Sequence, residues 1–283
     1  MGIEKSRPVL ITGCSTGIGR ATAERLADDG WNVHATARQP DSIEQLAARG
    51  CKIHALDVTD ERSMGSAVAE VESDGPIGAL INNAGYSQSG AIETIPMESL
   101  RRQFETNVFG LMRMCQLVLP SMRRAGSGRI VNLSSMGGKL TFPGGGVYHA
   151  TKHAVEALSD ALRFEVSGFG VDVVVIEPGL IVTEFGETAS ASMADIEHGP
   201  YAKFNATVAK VTANAYAGPM ARLGAGPDAV ARKIARALSA RRPATRYKVT
   251  PSAQVVMGLR RVMTDRMWDR AVRSQFPPPR PEG

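Results

Sequence analysis

Short apolar runs alternate with longer stretches of helical period along the first 180 residues. Pro8–Thr12, Trp31–Thr36, Lys52–Leu56, Ala79–Asn82, Arg129–Leu133 and Val171–Ile176 are each rich in apolar or β-branched residues and bounded by Gly, Asp or Pro, as strands are. Between them lie amphipathic segments that read as helices: one ending near Asp29, one opening near Glu61, then Ser99–Met122 and Val147–Val166. Strands that alternate with helices predict a parallel sheet covered on both faces, a doubly wound α/β fold without an internal linker. The pattern changes after Pro178-Gly179. Residues 184–226 are Ala-, Ser-, Thr-, Gly- and Met-rich with weak period, and read as a lid with short helices or as a surface excursion. Pro227 opens a helix to about Ser239, Thr245–Val249 is a last strand, Ser252–Phe276 is one final helix, and Pro277–Gly283 is a frayed tail. The whole chain, 1–283, is expected to form one domain, with 252–283 as a C-terminal extension.

Composition narrows this only a little. Of 283 residues, 43% are hydrophobic and 22% charged, as in a soluble protein with a sizeable core. No apolar run is long enough to span a bilayer, and the polar Met1–Pro8 does not read as a signal peptide. Three cysteines without paired spacing (Cys14, Cys51, Cys115) argue against a disulfide scaffold or a zinc site and fit a reducing, cytoplasmic setting. Charge is uneven: fourteen Lys/Arg and four acids lie from Arg222 to the end, against nineteen and twenty-four before it. With only 5% aromatic residues and no groove-reading motif, nucleic acid is not an expected partner.

The first candidate chemistry is Gly13-Cys-Ser-Thr-Gly17-Ile-Gly19, which follows a strand and opens a helix. Gly13 allows a sharp turn, Gly17 allows backbone to approach a pyrophosphate, and Gly19 allows helix and strand to pack closely. The helix N-terminus offers free N–H groups to the phosphates. This makes Gly13, Ser15, Thr16, Gly17, Ile18 and Gly19 a phosphate-binding turn. At the end of the second strand, where an acid would favour NAD(H), the chain reads Thr36-Ala37-Arg38. Arg38 suits a 2′-phosphate, so NADP(H) is the expected cofactor and NAD(H) the alternative; a solvated surface charge is the plain reading of Arg38. Asp57-Val58 closes the third strand, where Asp57 either accepts from an adenine amino group or caps the next helix.

The second is Tyr148-x-x-x-Lys152, a phenol and an ammonium at i and i+4 on one helix face. A cation nearby favours the phenolate and fits Tyr148 for acid–base work. Ser135 ends a strand, has no acid beside it, and reads as a donor to a substrate oxygen. His149 points off the Tyr–Lys face and reads as structural.

Taken together, Thr12–Gly19, Asn82-Asn-Ala-Gly85, Asn107, Ser135, Tyr148-x-x-x-Lys152 and Pro178-Gly-x-x-x-Thr183 resemble the short-chain dehydrogenase/reductase family in order and spacing, over residues 8–183. The resemblance implies a single doubly wound Rossmann domain with a seven-stranded parallel sheet. It implies that Lys152 also holds the nicotinamide ribose, and that Asn107 marks a helix break holding a water that joins Lys152 to solvent. Asn83, Ala84 and Gly85 would touch the cofactor; Pro178, Gly179, Ile181 and Thr183 would grip its carboxamide. It further implies a homodimer or homotetramer. The start of the motif, Ala-Thr-Ala-Arg38 and the extended C-terminus look most like hydroxysteroid and retinol dehydrogenases.

The expected activity is NADP(H)-dependent, reversible hydride transfer between nicotinamide and a carbonyl or secondary alcohol. Phe185, Met193, Tyr201, Phe204, Tyr216, Met220 and Leu223 in the lid suggest a hydrophobic substrate on a steroid, retinoid, terpenoid or acyl skeleton. A 3-oxoacyl-carrier reductase is an alternative, as is a cofactor-binding sensor or scaffold without catalysis; the latter predicts a damaged Ser/Tyr/Lys set, which is not seen. An epimerase or dehydratase predicts a different glycine spacing and a larger C-terminal domain. The final helix carries Val255, Val256, Leu259, Val262, Met263, Met267 and Ala271 among five arginines. It packs on its own domain or a sister subunit, roofs the pocket, or lies on an anionic membrane.

Overall fold

Seven short strands form one wholly parallel sheet: β1 (Val9–Ile11), β2 (Val33–Ala37), β3 (Lys52–Ala55), β4 (Ala79–Asn82), β5 (Gly128–Leu133), β6 (Val171–Glu177) and β7 (Arg246–Lys248). The order β3-β2-β1-β4-β5-β6-β7 reverses direction between β1 and β4, which opens a crevice above their C-terminal ends. The computed structural model describes residues 2–183, 192, 199–217, 223–276 and 278–279.

Side chains alternate across the sheet and build a core on each face. Val9, Ile11, Val33, Ala35, Val131 and Ile176 face helices α1 (Gly17–Asp28) and α7 (Pro227–Ser239), which bury Leu26, Val230 and Ile234. Leu10, Leu80, Ile130 and Val173 face α2 (Glu61–Glu72), α4 (Leu111–Arg124) and α5 (Gly146–Val166), which bury Val68, Met114, Val118 and Val155. Pro227 stands at the first position of α7, where its missing N–H is no loss. Arg129 is fully buried and caps the far end of that helix, donating to the carbonyls of Ala237, Leu238 and Ala240 while pairing with Asp172 at 2.6 Å.

Three expected elements differ. The segment expected as one helix, Ser99–Met122, is α3 (Met97–Phe104), a π-helical turn over Glu105–Gly110, then α4. The cap of α2 is Asp60 and not Asp57: the Asp60 carboxylate accepts from Arg62 and Ser63 N–H, while Asp57 accepts from the backbone and hydroxyl of Thr59. The final helix is two: α8 (Pro251–Val262) ends at Met263 in extended backbone, and Thr264 caps α9 (Asp265–Arg273). Of the lid, α6 (Ala202–Ala217) is described, while Phe185, Met193 and Met220 and the side chain of Tyr216 lie outside the described residues. Among the described residues no helix is long and apolar enough to cross a membrane.

Candidate active site

The six turns that leave the C-terminal ends of β1 to β6 line one cavity of about 890 Å³. The glycine-rich turn forms part of its wall. Gly13 and Gly17 hold φ of 72° and 55°, which L side chains rarely adopt, and a Cβ on Gly19 would stand 2.1 Å from the Gly13 carbonyl oxygen. Helix α1 opens with no side-chain cap and no acid in its first turn, so its first N–H groups are left for a ligand. Thr12 and Asn83 latch β1 to β4: the Thr12 hydroxyl accepts from Asn83 and Ala84 N–H, and Asn83 Nδ2 donates to the Thr12 and Gly13 carbonyls. Thr183 reaches back to this turn, its Cβ and Cγ2 both 3.5 Å from where a Gly17 Cβ would stand. Arg38 is exposed at the cavity rim and forms no hydrogen bond or ion pair among the described residues.

The same cavity holds the acid–base set. Tyr148 and Lys152 lie one turn apart on α5, with Lys152 Nζ 5.8 Å from the Tyr148 ring centre. Lys152 is buried and donates to the Leu133 carbonyl at 2.7 Å. Burial pushes its ammonium down to about 8, against the opposing pull of Glu156. Ser135 follows β5; its Oγ accepts from Gly137 N–H at 3.1 Å, leaving its own proton free to be donated.

Eighteen of the twenty predicted site residues line the cavity: Gly13, Ser15, Thr16, Gly17, Ile18, Arg38, Asp57, Val58, Asn83, Ala84, Gly85, Ser135, Tyr148, Lys152, Pro178, Gly179, Ile181 and Thr183. Gly19 and Asn107 do not. Gly19 sits beneath the turn it compacts. Asn107 lies behind the wall in the π-helical turn, where its Oδ1 accepts from Tyr86 N–H and its Nδ2 donates to the Tyr86 carbonyl and to Thr151 Oγ1. Thr151 in turn donates to the Tyr148 carbonyl, so Asn107 braces the helix that carries the phenol.

His149, expected as structural, also lines the cavity, with its ring 5.8 Å from that of Tyr148. Its Nδ1 accepts from Phe142 N–H, and burial pushes its pKa down to about 4, so the ring is neutral with its proton on Nε2. Gly137 and Gly145 make room for it; a Cβ on either would stand within 2.8 Å of the ring. The remaining wall is apolar: Val208 and Val211 from α6, Val256 from α8, and Phe142 with Phe276 tilted against it, 6.4 Å between ring centres. No local motif marks these residues, because their only common property is where the chain returns. The one available signal was the helical spacing of the C-terminal segment, and of its expected stripe Val256 reaches the cavity whereas Val255, Leu259, Val262 and Met267 face solvent.

A glycine cradle that a Cβ would fill, an uncapped helix end and a Ser/Tyr/Lys set in one crevice fit a nicotinamide dinucleotide, and define an oxidoreductase of the Rossmann class. The sequence model for short chain dehydrogenases matches residues 7–194, and the chain belongs to that family. It is 36% identical to the uncharacterized oxidoreductase YbbO of Escherichia coli over 266 residues, 93% of each chain. It is 35% identical to 3-ketodihydrosphingosine reductase of Bacteroides thetaiotaomicron, covering 88% of this chain and 89% of that one. Identity to the NADPH-dependent 3-dehydrocapnine reductase of Ornithobacterium rhinotracheale is 32%, over 93% and 95%. Among solved structures, a short-chain dehydrogenase from Streptomyces avermitilis superimposes with a TM-score of 0.79 at 32% identity over 96% of both chains. A serine dehydrogenase complexed with NADP+ does so with 0.74 at 26%, over 86% of this chain and 94% of that one. The hydroxysteroid and retinol subtype has no counterpart among these proteins.

Proposed function

We propose that this enzyme reduces the ketone of a long-chain, amphiphilic substrate to a secondary alcohol with NADPH. When bound, the cofactor supplies the hydride. Tyr148 donates the proton to the carbonyl oxygen, and Ser135 donates a hydrogen bond to the same oxygen and holds it in line. Lys152 stabilises the phenolate left behind and holds the nicotinamide ribose; its lowered pKa leaves its ammonium able to exchange a proton near neutrality. Asn107 braces the π-helical turn behind Tyr148, where a water joining Lys152 to solvent would complete the proton relay. Arg38 pairs with the 2′-phosphate of the cofactor. Holding both reactants in one cleft makes their encounter effectively unimolecular.

The observation that carries this reading is that one cavity is lined both by Arg38 and the glycine turn and by the apolar side chains of Val208, Val211, Val256 and Phe276. The relatives named 3-ketodihydrosphingosine reductase and NADPH-dependent 3-dehydrocapnine reductase favour a long-chain skeleton over a steroid or retinoid. A 3-oxoacyl group on an acidic carrier is the second reading, favoured by the basic C-terminal third. A cytoplasmic, homo-oligomeric enzyme belongs to the same proposal; Phe109, Leu158 and Phe164 offer a second copy an apolar surface. The test is oxidation of NADPH and NADH, followed by absorbance, against detergent-dispersed 3-keto long-chain bases, 3-oxoacyl thioesters, and short ketones. Turnover with NADPH should rise with chain length; a preference for short polar ketones overturns the reading.

A further inference from the structure

The C-terminal helices have two differently built sides. Inward, Ala253 and Met257 bury against Leu140, with Met136, Phe142, Val256 and Trp268 packed around them. Ser252, Val256, Gln275 and Phe276 line the cavity, so α8 and the residues that follow α9 form part of its wall. The Ser252 hydroxyl also accepts from Leu180 N–H, which ties the start of α8 to the loop after β6. Outward, Val255, Leu259 and Val262 recur at i, i+4 and i+7 on α8 and are 54%, 52% and 78% exposed; Met267 on α9 is 52% exposed. Burying that stripe against the domain would need a partner surface, and the domain uses the opposite side of the helix.

The charges on these helices are as one-sided. Arg260 is satisfied internally: it pairs with Asp265 at 2.6 Å and lies over the Trp268 ring at 5.7 Å. Arg261, Arg266, Arg270 and Arg273 form no ion pair among the described residues, and Asp269 is the one other acid between Pro251 and Phe276. A second copy packed here about a two-fold axis would set these like-charged clusters against each other. An apolar stripe with unpaired arginines around it instead complements a surface that is negative at its rim and oily just beneath.

We propose that the outer face of α8 and α9 docks on an anionic lipid bilayer, with Val255, Leu259, Val262 and Met267 entering the interface and the four arginines meeting headgroup phosphates. Docking sets this part of the cavity wall against the bilayer, so that a long-chain ketone reaches Val256 and Phe276 without crossing water. That consequence rests on the substrate reading above; the docking itself does not.

The test is flotation of the full-length protein with phosphatidylcholine vesicles and with mixed phosphatidylcholine–phosphatidylglycerol vesicles, at low and high salt. Binding should require phosphatidylglycerol and weaken with salt. Arg261→Gln with Arg266→Gln should lower the partition coefficient by about fivefold per arginine, and Leu259→Ser with Val262→Ser should lower it further. Both double variants should keep wild-type NADPH affinity and turnover of a short soluble ketone, since none of these residues touches the cavity. Absence of binding to mixed vesicles, equal binding to neutral ones, or variants that float like the wild type would overturn the proposal. A serine variant that changes oligomeric state while the wild type ignores vesicles would assign the face to a second copy. Wild-type binding to an acidic carrier protein but not to vesicles would assign it to that partner. Failure of the long-chain ketone assay with vesicle binding intact would strike the substrate reading alone.

Discussion

At the scale of single residues, the chemistry depends on where two protons and one phosphate are held. Tyr148 is placed by α5 so that a buried cation lies one turn away, and Lys152 is anchored there by the Leu133 carbonyl at 2.7 Å. Replacing Tyr148 by Phe removes the proton and keeps the ring. General acid catalysis contributes about 10²–10⁴-fold, so Tyr148→Phe should lower kcat by that order while NADPH affinity, read by fluorescence titration, stays within a few-fold. Retained turnover would take Tyr148 out of its role. Arg38 is exposed at the cavity rim and forms no hydrogen bond or ion pair among the described residues, so reversing its charge leaves the contacts of the described fold as they are. A charge-assisted bond is worth roughly 1.5–3 kcal/mol, and Arg38→Asp should therefore shift the ratio of kcat/KM for NADPH over NADH toward NADH by about 10–100-fold. An unchanged ratio would mean that this guanidinium does not read the phosphate. These residues were legible in the sequence because each sits at a fixed offset from a strand end or within one helical turn. That the His149 ring also forms part of the cavity wall was not legible, because its surroundings are set by Gly137 and Gly145 outside its own helix.

At the scale of elements, the same limit appears as a difference between local and returning contacts. The strand cores, α1 and the proline-started α7 follow from hydrophobic period and capping chemistry, and these the sequence reading reproduces to within a residue or two. The π-helical turn at Glu105–Gly110 leaves no trace in the hydrophobic period, because it is stabilised by Asn107 bridging to Tyr86 and Thr151, partners 21 and 44 residues away; only the family resemblance places a helix break at Asn107. The break between α8 and α9 was available in principle: Thr264-Asp265 is a capping pair inside an otherwise helical run. The glycine turn provides the sharpest test of an element read correctly. A Cβ at Gly19 would meet the Gly13 oxygen at 2.1 Å and Asn83 Nδ2 at 2.5 Å, and the first of these is backbone that has nowhere to go. Gly19→Ala should destabilise by about 1–3 kcal/mol in urea unfolding and weaken NADPH binding, since the whole turn must move. Gly65→Ala, on α2 with open space around the new methyl group, should instead stabilise by about 0.5–1 kcal/mol. Equal effects at the two sites would refute the close-packing account of the third glycine.

At the scale of the whole molecule, titratable groups buried far apart set a common pH dependence. His34, beside His54 and Asp74 on the β2–β3 side, and His149 in the cavity wall are both pushed down to about 4 by burial. The unfolded chain therefore binds protons that the folded chain refuses as pH falls from 6.5 towards 4, and stability falls with it. Glu177 works in the opposite sense. Buried beside Glu156 at the end of β6, with Arg246 as its nearest cation at 3.4 Å, it is pushed up to about 7. Its proton stabilises the fold below the unfolded value of a glutamate, and this contribution is lost as pH rises through 7. Between pH 6.5 and 5, two histidines against one glutamate leave a net uptake on unfolding of less than one proton on average. At about 1.4 kcal/mol per proton and pH unit, the wild type should lose on the order of 1 kcal/mol across that interval. Glu177→Gln removes the opposing group, and the same decline should at least double; His34→Gln removes one of the two causes and should leave the curve nearly level. Urea unfolding followed at closely spaced pH values measures all three slopes, and parallel curves for wild type and both variants would show that these buried groups do not govern the acid response.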